Sequence, residues 1–141
     1  MKRFMTLALV FVMTITCCIN ASAASSTILR SSPTLSDYEA ILKAGSSQGE
    51  IKINYDVTAS KPATSLGVYS IAIYTSSGTY ITTIYGTTSN GLIRTSASSH
   101  MGSYSYIGTT GTYYYAKVTV FAETATDYDS RVIVTNTVKV P

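Results

Sequence analysis

The chain has 141 residues, with ten basic and seven acidic side chains, a net charge of +3 and a single histidine. That length suits one domain, and so small a net charge gives no electrostatic case for a nucleic-acid partner. Both cysteines, Cys17 and Cys18, fall in an apolar N-terminal run, so the rest of the chain has no disulfide, no thiol nucleophile and no cysteine-ligated metal.

That run follows Met1-Lys2-Arg3 and extends from Met5 to Cys18, interrupted only by threonines. It is shorter than the roughly 20 apolar residues a helix needs to cross a bilayer. Its length matches the middle of a secretory signal peptide, and Ala21-Ser22-Ala23 supplies the small-x-small cleavage pattern. Residues 1–23 are therefore predicted to be a signal peptide, with Ala24 as the new N-terminus and no membrane span after cleavage. Neither cysteine has the small residues ahead of it that a lipoprotein signal needs. Removal of Lys2 and Arg3 leaves eight basic against seven acidic groups.

Residues 24–34 read as a flexible lead-in, and residues 35–141 as a β-sandwich domain. Leu35 to Ala44 is ambiguous at first sight. Ser36 and Glu39 resemble a helix capping box, yet Tyr38, Ala40 and Leu42 alternate as in a strand; an edge strand is expected because every neighbour is β. Ile51, Ile53, Tyr55 and Val57 then alternate with Glu50, Lys52, Asn54 and Asp56, the mark of a half-buried strand. Lys61-Pro62 is expected to break it. Val68–Tyr74 and Tyr80–Gly86 read as a hairpin about Gly78. Pairing Tyr74 with Tyr80 would turn Tyr69, Ile71 and Ile73 inward beside Ile81, Thr83 and Tyr85. After a polar stretch, Gly102–Ile107 is a further strand. Thr112–Ala122 follows, with Tyr114, Ala116, Val118 and Val120 on one face and Tyr113, Tyr115, Lys117 and Thr119 on the other. A last strand is expected at about Arg131–Val140, with Val132 and Val134 inward. Seven short strands without an intervening helix indicate an antiparallel sandwich.

Gly111-Thr112-Tyr113-Tyr114-Tyr115-Ala116-Lys117-Val118-Thr119-Val120 resembles strand F of fibronectin type III and related immunoglobulin-like domains. The resemblance makes Tyr114 a structural corner tyrosine whose hydroxyl bonds back to the preceding connection. It likens Ile51–Tyr55 to strand B and Tyr69–Tyr74 to strand C, although no tryptophan is present. Gly49–Ile53, Ser70–Tyr74, Gly111–Val120 and Asp129-Ser130-Arg131, together with the leader, also resemble a family of small secreted proteins of Gram-positive, Clostridia-type bacteria classed as a domain of unknown function. That likeness implies a secreted β-sandwich and no particular activity.

No catalytic set is expected. His100 sits in a serine-rich stretch without a Gly-x-Ser-x-Gly elbow, and reads as an exposed loop residue. The seven carboxylates fall mostly at water-facing or loop positions rather than as a tuned pair. Glu123, Asp127 and Asp129 share one loop and form a candidate calcium site, though three side chains fall short of the six or more oxygens that calcium takes. Neither cofactor nor resident metal is otherwise called for. Tyrosine carries the main functional hint: twelve occur, and the expected register gathers Tyr74, Tyr80, Tyr113 and Tyr115 on one outer face. Such a group suits stacking on a sugar ring or a protein partner. The expectation is a secreted, monomeric or weakly associating, non-catalytic binding module for a glycan, the cell envelope or a protein, released to the medium; the alternative is a secreted antagonistic, bacteriocin-like protein.

Overall fold

The strict alternation of β-branched and aromatic residues with polar ones gives a protein that is 71% strand over its described residues and has no helix there. The computed structural model describes residues 34–141; the predicted leader, its cleavage site at Ala21, Ala23 and Ala24, and most of the lead-in lie outside them. The strands are β1 (Leu35–Ala44), β2 (Glu50–Thr75), β3 (Tyr80–Tyr85), β4 (Ile93–Ile107), β5 (Tyr113–Glu123), β6 (Tyr128–Val134) and β7 (Val138–Lys139). All neighbouring pairs are antiparallel. The segment open to helix or strand is β1, an edge strand.

Hydrogen bonding links all seven strands into one sheet, with β1-β2-β5-β6 as its main path and β3, β4 and β7 joined to β2 and β5. This sheet curls into a half-barrel, where the sequence led us to expect two stacked sheets. The cause is β2. Lys61-Pro62 does not end the strand: the chain runs on for 26 residues, and the ladder with β4 merely shifts between Thr58 and Ala63. Proline has no N–H to give that ladder, so the strand bulges there and bends. The first half of β2 pairs with β1 and the second with β3 and β5, while β4 follows β2 across the bend from Glu50 to Gly67.

The concave side holds the core. Leu42, Ile51, Ile53, Val57, Leu66, Val68, Ile71, Ile73, Leu92, Val118, Val120 and Val140 are all fully buried, each such side chain contributing about 1.5–3 kcal/mol relative to exposure. Tyr114 is buried among them, and its hydroxyl accepts the backbone N–H of Thr109 at 3.1 Å. The carboxamide of Asn136 binds the edge of β1, accepting from Leu42 N at 2.9 Å and donating to Leu42 O at 3.0 Å. One side chain thus copies a strand's backbone pairing and ties β1 to the chain beyond β6.

Several faces differ from the expected ones. A bulge between Ile73 and Tyr74 sets Ile73 opposite Thr82 while Tyr74 stays opposite Tyr80. Ile84 therefore packs on the core, and Ile81 and Tyr85 turn out. A second irregularity between Val68 and Ser70 turns Tyr69 out as well. On β6 it is Ile133 that packs inward, leaving Val132 and Val134 exposed. The polar stretch before Gly102 is strand, held by backbone pairing with β2 that needs no apolar side chains.

Candidate functional site

The outer face of β3, β2, β5 and β6 is aromatic at both ends. At one end the register sets Tyr74 between Tyr80 and Tyr115. The rings of Tyr74 and Tyr115 stack at 5.3 Å between centroids and 13° between planes, while Tyr80 meets Tyr74 edge-on at 5.7 Å. Lys117 Nζ lies 5.1 Å from the Tyr74 centroid, within cation–π range. The Tyr80 hydroxyl donates to Thr83 Oγ1 at 3.1 Å, which fixes that ring although it is 55% exposed.

At the other end Phe121 is covered by its neighbours. Tyr128 stacks on it at 6.0 Å, and Tyr69 meets it edge-on at 6.4 Å. Tyr85 in turn meets Tyr69 at 6.3 Å. Between the two groups run the cross-strand rows Thr83–Ala72–Lys117–Val134 and, starting from Tyr85 of the second group, Ser70–Thr119–Val132. From Tyr74 to Tyr69 is about 17 Å along the strand, and four strands span about 14 Å across. Lys117 is the one charge within these rows. The result is a ridge of rings flanking a small-residue trough, on a sheet made rigid from below by the core.

Of the four tyrosines picked out by sequence, Tyr74, Tyr80 and Tyr115 touch. Tyr113 lies on the same face further along β5, half-exposed, with Lys139 Nζ 5.8 Å from its ring centroid. Tyr69, Tyr85, Phe121 and Tyr128 were missed. Simple alternation put Tyr69 and Tyr85 inside, and only the two bulges put them outside.

The other candidates come out differently. His100 lies on β4 and is half-buried, not in a loop. Its Nε2 is 2.7 Å from Gly91 O and 3.1 Å from the Tyr55 hydroxyl, which itself donates to Gly91 O at 2.8 Å. A carbonyl can only accept, so Nε2 carries the proton. Burial pushes the Tyr55 hydroxyl above its ordinary pKa. This triangle ties the turn at Gly91 to β2, and it contains neither serine nor carboxylate. Glu123, Asp127 and Asp129 do not converge: among the described residues no group of three or more His, Cys, Asp or Glu side chains is placed to hold a metal. Asp129 pairs with Arg131, and Asp127 Oδ2 accepts from the Thr126 hydroxyl. An open groove of about 290 Å³ lies elsewhere, on the outer face of β1, β2 and β4, lined by Glu39, Ile41, Asn54, Asp56 and Met101. There Glu39 and Asp56 sit directly opposite each other across the strands.

Among the described residues no helix is long and apolar enough to cross a membrane. Comparison with protein-family models, with curated proteins and with solved structures finds no match to this chain.

Proposed function

We propose that this chain is a secreted, non-catalytic binding module that takes a glycan of the cell envelope on its outer tyrosine face. The observation that carries the reading is the Tyr80–Tyr74–Tyr115 group, in which Tyr80 and Tyr115 both pack against Tyr74 on a rigid sheet with Lys117 over the Tyr74 ring. Aromatic faces pack on the C–H faces of pyranose rings, while tyrosine hydroxyls at the rim hydrogen-bond to sugar hydroxyls. The spacing to the second aromatic group suits a chain of several sugars better than a single one. Export rests on the basic start, the apolar run and the Ala21-Ser22-Ala23 pattern. A relation in architecture to fibronectin type III-like sandwiches is part of the same proposal. It is supported by the pairing of β5 with the second half of β2 and by the Tyr114 hydroxyl bonded back to Thr109.

The test is binding of the purified chain to a glycan array and to intact Gram-positive cell walls. Saturable binding is expected, weakened about two- to tenfold by Tyr74→Ala or Tyr115→Ala, since losing one ring contact costs about 0.5–1.5 kcal/mol. Absence of binding to both surfaces would sink the glycan reading.

A further inference from the structure

We propose that the open edge of β6 pairs with β6 of a second copy, forming a two-fold dimer whose sheets run on from one chain to the other. The inference stands apart from glycan binding and starts from the ladder. Among the described residues strand β6 pairs with β5 alone. Thr135 N donates to Ala116 O, which sets the parity: Asp129, Arg131 and Ile133 turn their amides to β5, while Tyr128, Ser130, Val132 and Val134 turn theirs to the open edge.

Edge strands are usually blunted by bulges, proline or charge. The edge of β1 is occupied by the Asn136 carboxamide, and β3 is distorted by the bulge at Ile73/Tyr74. Strand β4 carries Ser96 at a left-handed φ of 52°. Strand β6 has no bulge, no proline and no clamp from another strand: its register with β5 is unbroken, Tyr128, Val132 and Val134 stand 58%, 62% and 61% exposed along it, and Ser130 O, which accepts from Arg131 Nη1, keeps a second lone pair for the amide of a paired strand.

Its two charges choose the partner. Asp129 and Arg131 are two residues apart and face the concave side. In an antiparallel self-pairing centred on Ser130, Asp129 of each copy stands opposite Arg131 of the other, and Tyr128 stands opposite Val132. Opposite charges and aromatic–β-branched pairs are both favourable when directly across. Centring on Arg131 instead would oppose two guanidiniums. Arg131 has donors to spare, since its hydrogen bonds to Asp129 and to Ser130 O both use Nη1. The same pair that admits a second copy in this one register repels a strand carrying a charge of the wrong sign. Self-pairing about a two-fold axis is also closed, so it stops at two.

The experiment is sedimentation of the full chain with Cys17→Ser and Cys18→Ser, alone and with Ser130→Cys. A dimer is expected at about 0.1 mM, in the range of weak interfaces. A directly opposite, hydrogen-bonded pair has Cα atoms about 5.5 Å apart, within disulfide range. Ser130→Cys should therefore cross-link to itself under mild oxidation, while Val134→Cys should not. Val132→Pro removes no bond to β5, and Val132→Lys serves if the proline variant fails to fold. Either should weaken the dimer about tenfold or more. A chain monomeric at that concentration, whether its edge is bare or covered by residues 24–33 or by another protein, overturns the proposal. So does a dimer indifferent to both Val132 variants, or growth into fibrils.

Discussion

Tyr55 shows how one residue can be both core and hinge pin. Its ring fills the space over Gly102, where an added Cβ would stand 2.6 Å from the hydroxyl. Its oxygen meanwhile reaches the carbonyl of Gly91, shared with His100. Desolvation raises its pKa above the usual value near 10, and burial does the same for Tyr106, with Tyr114 adding to the effect. The folded state then holds these protons more tightly than the unfolded chain. Their contribution is complete below the unfolded pKa and is lost as pH rises through the folded one. Urea midpoints should accordingly fall above about pH 10. Tyr55→Phe should flatten that fall while costing about 1–2 kcal/mol at neutral pH, through the lost hydrogen bond to Gly91. An unchanged alkaline slope in the variant would assign the effect elsewhere. From the sequence, Tyr55 was readable as an inward strand residue, since its neighbours alternate cleanly. Its partners were not, because His100 and Gly91 meet it only through the curl of the sheet.

At the scale of the element, legibility followed the side chains and failed where the backbone decides. Strand β5 and the first half of β2 were visible as alternation, while β1 was open to helix or strand and was placed only by its β neighbours. The first part of β4 was hidden because its serines and threonines carry no pattern and its place is fixed by pairing with β2. Proline at position 62 looked like an end because it cannot give a ladder bond, yet a bulge absorbs it. The bulges at Tyr69 on β2 and at Ile81 on β3 reversed the faces of Tyr69, Ile81 and Tyr85, so two rings of the aromatic face were read as core. A one-residue slip inverts every later side chain, and nothing local announces one. The Asn136 clamp belongs to the same class, joining residues 94 apart in sequence. Asn136→Ala should destabilise by about 1–3 kcal/mol, since it leaves both polar groups of Leu42 without their protein partner. Thermal unfolding measures this directly. Asn136→Asp keeps the acceptor and loses the donor, so it should fall between the two.

For the whole molecule, the aromatic outer face and the aliphatic concave face divide the work: one side holds the fold, the other is free to meet something. Sequence alone pointed to that division through the number of tyrosines, which exceeds what a domain of this size can bury. It said less about shape, since one curled sheet and two stacked sheets share the same strand pattern. Export is testable at this scale. N-terminal sequencing of the chain recovered from culture medium should begin at Ala24, and retention of residues 1–23 would point to an uncleaved anchor instead.

Strand β2 pairs with β1, β3, β4 and β5, four of the six other strands. Strands β1, β3, β4 and β5 therefore all hang on one strand, and opening β2 breaks the ladder of each. Amide hydrogens at the two ends of β2 should exchange through the same global event rather than in separate steps. Folding, in turn, is not complete in its local hairpins β1–β2, β2–β3 and β5–β6, because β5 must return from a distance in the chain to meet the strand that organises it. A protein built this way trades speed of folding for indivisibility, which suits a domain that carries no disulfide to hold a loosened part in place.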